Sequence, residues 1–167
     1  EISDSFDTFV NPEKKIPPKI TELTSITNDM VKDAPSEKEA LQSFFKFCGK
    51  DAVLIAHNAD FDTSFIRIAA NRNNMKFGNT YIDTVPMCRS MLKGIKNCKL
   101  DTVAKYLKLD SFHHHRACDD AKVLGEIFIR LLQRLKEDTK AGKISDINTS
   151  LAGGDVKKMK SYHMIIL

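Results

Sequence analysis

Residues 53–56, Val-Leu-Ile-Ala, are apolar without a break and run straight into His57-Asn58 and a stretch of helical period that lasts to about residue 73. A short buried strand feeding a helix, with no flexible tract between them, commits a chain to an α/β arrangement. Tyr81-Ile82-Asp83 offers a second short strand, and two helical stretches follow at residues 86–92 and 100–107. The longest periodic run covers residues 117 to about 139. Upstream, Ser36 and Glu39 have capping-box spacing ahead of Ala40-Leu41, and Gly49 stands where that helix would stop. After Pro17-Pro18, the segment ITELTSITNDMV reads as short helical turns. The first ten residues mix β-formers in rough alternation up to Asn11-Pro12 and read as a strand. Residues 141–160 are polar, with Gly153-Gly154 and a Lys157-Lys158-Lys160 cluster, and read as a linker before SYHMIIL begins something new. The expected organisation is therefore one domain over residues 1–140, with 141–167 as linker and the start of a following segment.

Composition bounds the function classes. A chain of 167 residues, 42% hydrophobic and 29% charged, is neither collagen-like nor disordered. No apolar run approaches a membrane span, and the acidic, polar start is no signal peptide. The four cysteines form no CxxC pair, so free thiols in a reducing cytoplasm are expected. A net charge of +4 tolerates a polyanionic partner without demanding one.

Two aspartates stand out by phase. From Asp62, the residues three, four, seven and eight positions on are Phe65, Ile66, Ala69 and Ala70, all apolar; from Asp60 they begin Thr63, Ser64 and Arg67, all polar. Positions three and four apart share a helix face, so Asp62 points inward and Asp60 toward water. In the long C-terminal run, Asp120 is in phase with Leu124, Ile127 and Leu131, whereas Asp119 is in phase with Lys122, Val123 and Glu126. Asp120 is the inward one. His115 lies five residues before it, last of His113-His114-His115. Each aspartate could simply serve a helix start, and the histidines a polar loop or a zinc site. Inward carboxylates with a nearby imidazole also suit metal-assisted hydrolysis. Mg²⁺ takes hard oxygen ligands, two ions can steady attacking and leaving oxygens, and imidazole can accept the water's proton.

His57-Asn58-Ala59-Asp60-Phe61-Asp62 with Phe65 resembles the second motif, HNAxFDxxF, of the DnaQ-like, DEDDh-type 3′→5′ exonucleases, and His115-Arg116-Ala117-Cys118-Asp119-Asp120-Ala121 resembles the third, HxAxxDA. ITELTSIT looks like the segment beside the terminal nucleotide, with Ser25 where a Gly is usual, and Ile82-Asp83-Thr84 looks like the short strand between the two motifs. The resemblance runs to about residue 138. It implies a ribonuclease H-like fold with a mixed sheet flanked by helices. It further implies Asp62 and Asp120 as metal ligands, His115 as general base, and Thr24, Ile26, His57, Asn58 and Phe61 as substrate-binding residues. The implied cofactor is Mg²⁺ (or Mn²⁺), with two ions in an intact domain, and the implied partner is the single-stranded 3′ end of DNA.

Within that family, PPKITELTSITNDMVKDAP, IAHNADFD and HHHRACDDA are similar to the exonuclease domain of PolC-type DNA polymerase III α subunits, and the tail looks like a return to the PHP domain which that exonuclease interrupts. The resemblance thus implies proofreading within a replicative polymerase, beside other replisome subunits. One departure bears on activity. The family's first motif, Asp-x-Glu on the first strand, occurs nowhere in these 167 residues. Residue 1 falls on what should be the third strand, so the implied metal site is half present. The 167-residue chain alone is then expected to be a poor nuclease, with strand edges that invite association. A stand-alone or helicase-fused exonuclease, or a degenerate module that binds DNA or a partner without cutting, are the alternatives.

Overall fold

The computed structural model describes residues 3–109 and 117–139. Its elements are α1 (Pro18–Thr24), α2 (Asn28–Val31), α3 (Glu37–Cys48), β1 (Val53–Ala56), α4 (Ala59–Arg72), β2 (Thr80–Asp83), α5 (Thr84–Met91), α6 (Leu100–Tyr106) and α7 (Ala117–Thr139). They divide between two compact units, one holding residues up to 52 with 63–78, the other 53–62 with the described residues from 79 onward. The histidines at 113–115 and all of 141–167, including the linker and the segment after it, lie outside the described residues.

In the first unit, α3 begins as its capping box dictates. The Ser36 hydroxyl accepts from the Glu39 N–H, and the Glu39 carboxylate accepts from the Ser36 N–H at 2.9 Å. The bonds from Ser36 hold the Glu39 carboxyl below its ordinary value. Gly49, at φ 70°, ends the helix and returns its N–H to the Phe45 carbonyl. At the far end of α4, Arg72 forks onto the Glu37 carboxylate at 2.6 and 3.1 Å, and the Asn73 amide joins it. The strand expected over the first ten residues is not formed: residues 3–10 carry no regular structure, and only Asn11 makes an isolated bridge, to Ser36. Backbone groups build a strand only where a ladder partner accepts them. Here Phe6 instead packs on Phe44 and Phe47 of α3.

The second unit is built on β1 and β2, which pair in parallel with Val53 opposite Thr80 and Ala56 opposite Asp83. Among the described residues these two strands form the whole sheet. Ile55 and Ile82 join Met87 and Cys88 of α5, Val103 and Ala104 of α6, and Val123, Leu124, Ile127, Phe128 and Leu131 of α7 in one core. The apolar stripe read from the sequence of α7 is the stripe that is buried, with Lys122 and Glu126 left exposed. Truncating a fully buried residue such as Ile127 or Leu131 to Ala costs about 2–5 kcal/mol. Cys48, Cys88, Cys98 and Cys118 are free thiols, and burial above all pushes the Cys88 thiol up to about 12. No helix among the described residues is long and apolar enough to cross a membrane.

Candidate active site

Because β1 and β2 run parallel and in register, their C-terminal ends lie side by side, the place where open α/β sheets bind ligands. The turn leaving β1 is His57-Asn58. Asn58 adopts φ 73°, a left-handed conformation that Asn tolerates better than most residues. Helix α4 starts at the next residue, so its first amides need acceptors. Asp83, the last residue of β2, supplies them: its carboxylate accepts from the Asn58 N–H at 3.0 Å and the Ala59 N–H at 3.1 Å. The same side chain caps α5 by accepting from the Val85 N–H at 2.9 Å.

His57 is anchored on both ring nitrogens. Nε2 meets the Cys98 carbonyl at 2.5 Å, and Nδ1 lies 2.8 Å from the Thr84 hydroxyl. A carbonyl only accepts, so Nε2 carries the proton and the Thr84 hydroxyl donates to Nδ1 in the neutral ring. Burial holds the imidazole below its ordinary value, opposed by the Cys98 bond and the charge of Asp83. The Thr84 hydroxyl also lies 3.2 Å from the Ala56 carbonyl, an alternative acceptor should the ring take a second proton.

Asp62 sits in the first turn of α4, half-buried, while Asp60 is exposed, as the phase reading expects. The neighbours are not all those expected. Phe65 is 61% exposed and Thr63 only 1%, so the buried face of α4 is rotated toward Thr63, Ile66 and Ala70. Burial raises the Asp62 carboxyl, its own backbone N–H opposes this, and the charge of Asp83 adds to the rise. A half-buried carboxylate with a second carboxylate's charge acting on it is the hard-oxygen, negative environment that a divalent cation relieves, so Asp62 fits such an ion by chemistry. Among the described residues no group of three His, Cys, Asp or Glu side chains could hold a metal ion by itself. Asp120 stands in the first turn of α7, in the same unit, partly buried as is Asp119; burial does not separate that pair as it separates Asp60 from Asp62.

Thr24 and Ile26 belong to the first unit, where the Thr24 hydroxyl donates to the Ile20 carbonyl and accepts from the Ile26 N–H. Between them Ser25, in the position where the family's Gly is usual, takes φ 60°. Asn58 and Phe61 are exposed, and His115 lies outside the described residues. A cavity of ≈ 350 Å³ opens beside the turn, lined by His57, Asn58, Val85, Arg89, Cys98 and Lys99. Sequence reading placed Asp83 and Thr84 at the short strand between the motifs without giving them a role in the site, and it did not single out Arg89 or Lys99. An Asp directly before a helical stretch is the one signal that could have found Asp83.

Comparison with known proteins gives a consistent picture. A family model described as Exonuclease matches residues 1–128. The whole chain aligns with DNA polymerase III PolC-type from Caldanaerobacter subterraneus at 46% identity, from Clostridium perfringens at 44% and from Thermotoga maritima at 33%. It spans 12% of the length of each of these relatives. Among solved structures, Exonuclease X in complex with 5′ overhanging duplex DNA matches with a TM-score of 0.57 at 24% identity, covering 80% of this chain and 73% of that one. That likeness supports the ribonuclease H-like fold.

Proposed function

The chain belongs to the exonuclease family, and on that premise we propose that it is the part of a PolC-type replicative DNA polymerase III that removes nucleotides from DNA 3′ ends. The observation that carries this reading is the alignment of the entire chain with PolC-type polymerases at up to 46% identity. Asp62 and Asp120 hold the divalent metal, Mg²⁺ or Mn²⁺, with two ions in the complete site. When bound, such an ion supplies the positive charge that acidifies an attacking water and steadies a departing oxygen. His115 accepts the proton of that water on its imidazole. Asn58 and Phe61, exposed on the turn, face the terminal nucleotide, the Phe61 ring offering a stacking surface for a base. Thr24 and Ile26 are further substrate-binding residues. His57, with both ring nitrogens engaged inside, serves the substrate by holding the turn. The substrate is a single-stranded 3′ end, the setting is the cytoplasmic replisome, and other replisome subunits are met through the parent polymerase. Lacking any Asp-x-Glu pair, the 167 residues alone cut poorly or not at all.

The test is release of the terminal nucleotide from single-stranded DNA by the natural full-length protein in excess Mg²⁺. Strands labelled at either end report polarity. Asp62→Ala and Asp120→Ala should each abolish cleavage and leave polymerisation largely intact. Activity within about tenfold of wild type, a barrier change near 1.4 kcal/mol, would overturn the assignment. A wild-type protein that binds 3′ ends without cutting them would favour the degenerate binding module.

A further inference from the structure

We propose that Asp83 is a positioning residue for this site: a carboxylate that clamps the β1–α4 turn to β2 and so sets where Asp62 stands. The inference rests on the exonuclease reading above for its consequence, though not for its geometry. An ordinary helix N-cap needs only the bond from the Val85 N–H. Asp83 makes two more, to Asn58 and Ala59, across 25 and 24 residues of chain. A carboxylate offers about four acceptor sites. Three of them are spent on backbone N–H groups of two different helix starts, so this side chain is committed to the scaffold. The turn it grips cannot relax elsewhere. Asn58 is held in a left-handed conformation, and Ala59 is fully buried. Asp62 follows three residues later in the first helical turn, so a swing of the Asn58-Ala59 peptide displaces its carboxylate directly. Thr84 completes the bracket, its hydroxyl lying against both His57 Nδ1 and the Ala56 carbonyl.

The experiment compares Asp83→Ala, Asp83→Asn and Asp60→Asn in the natural full-length protein. It measures kcat and KM for 3′-terminal release, with hydrogen exchange resolved to single amides by fragmentation mass spectrometry. Asp83→Ala should lower kcat about 10²-fold, the cost of a small misplacement, with KM changed less than about threefold. The amides of Asn58, Ala59 and Val85 should exchange about tenfold faster while those of α7 do not change. Asp83→Asn keeps an oxygen for Asn58 and Val85 but puts an NH₂ opposite Ala59, so the Ala59 amide alone should be freed, with a smaller loss of kcat. Asp60→Asn, on the exposed side of the same turn, should resemble wild type. Three freed amides with kcat unchanged would overturn the proposal, as would a fall in kcat with no amide freed. Equal loss of kcat from Asn and Ala at position 83, with the Ala59 amide still protected in the Asn protein, would also overturn it, since charge and not geometry would then be at work. If the alanine protein does not fold, the asparagine protein decides: a freed Ala59 amide with wild-type kcat overturns the proposal. Asp62→Ala run in parallel separates the two readings. Full activity there defeats the exonuclease assignment, while amide exchange still reports whether Asp83 holds the turn.

Discussion

Helices α3 and α4 begin in opposite ways. The first turn of α3 is closed by residues three apart, the Ser36 hydroxyl and the Glu39 carboxylate exchanging bonds with each other's backbone. The start of α4 is held from a distance: the Asp83 side chain accepts from the Asn58 and Ala59 N–H groups, and it arrives when β1 and β2 pair with Ala56 opposite Asp83. A helix closed by its own residues keeps its start when distant contacts loosen. A helix closed from across a sheet has its start tied to the register of that sheet, and the residues in its first turn inherit that precision. The catalytic candidate Asp62 lies on the second kind.

The sharpest way to break this contrast is to remove both caps in turn and read local free energies from amide exchange. Asp83→Ala strips acceptors from three backbone donors at two helix starts and should cost about 2–4 kcal/mol of local stability around α4 and α5. Ser36→Ala removes one local cap and should cost about 1 kcal/mol, confined to the start of α3. Equal losses, or a Ser36 effect that spreads into β1, would erase the distinction. A smaller change of opposite sign is expected at Ser25, which closes α1 at φ 60°: Ser25→Gly should gain about 0.5–1 kcal/mol, measured by exchange at the Ser25 and Ile26 amides.

The smallest expected effect is on pH dependence. Burial keeps the folded His57 below its ordinary 6.5, while the unfolded chain takes up a proton near that value. Stability is therefore intact above about pH 6.5 and falls as pH drops through the folded value. Asp62 has the reverse sign: its folded carboxyl is raised above 3.8, so its stabilising contribution, full below that pH, is lost as pH rises through the folded value. Exchange in β1 and α5 at about pH 7.5 and about pH 5.5 brackets the ordinary imidazole value, and the His57→Gln protein separates the His57 part from other groups that titrate there. His57→Gln should flatten the loss; an unchanged slope would assign it to another group.

Much of this was legible in the chain because much of it is local. The capping box announces α3, an unbroken helical period from Ala117 gives α7 with its buried stripe, and the same periodicity marks Asp62 rather than Asp60 as the inward carboxylate. Where neighbours across space decide, local pattern misleads. Phe65 is apolar yet exposed, Thr63 is polar yet buried, and the β-forming residues 3–10 make no strand.

By itself, then, the sequence determined which segments coil, where α3 starts, which stripe of α7 is buried, and which motif residues are candidates for chemistry, since hydrogen bonds and side-chain periodicity within a few residues suffice for those. Only the tertiary structure decided that Asp83 closes α4, that His57 turns inward onto Thr84 and Cys98, and which face of α4 is covered. Each of these depends on groups tens of residues apart in the chain, and parallel pairing of β1 with β2 is what brings the Asp83 carboxylate to the Asn58 and Ala59 amides of the turn.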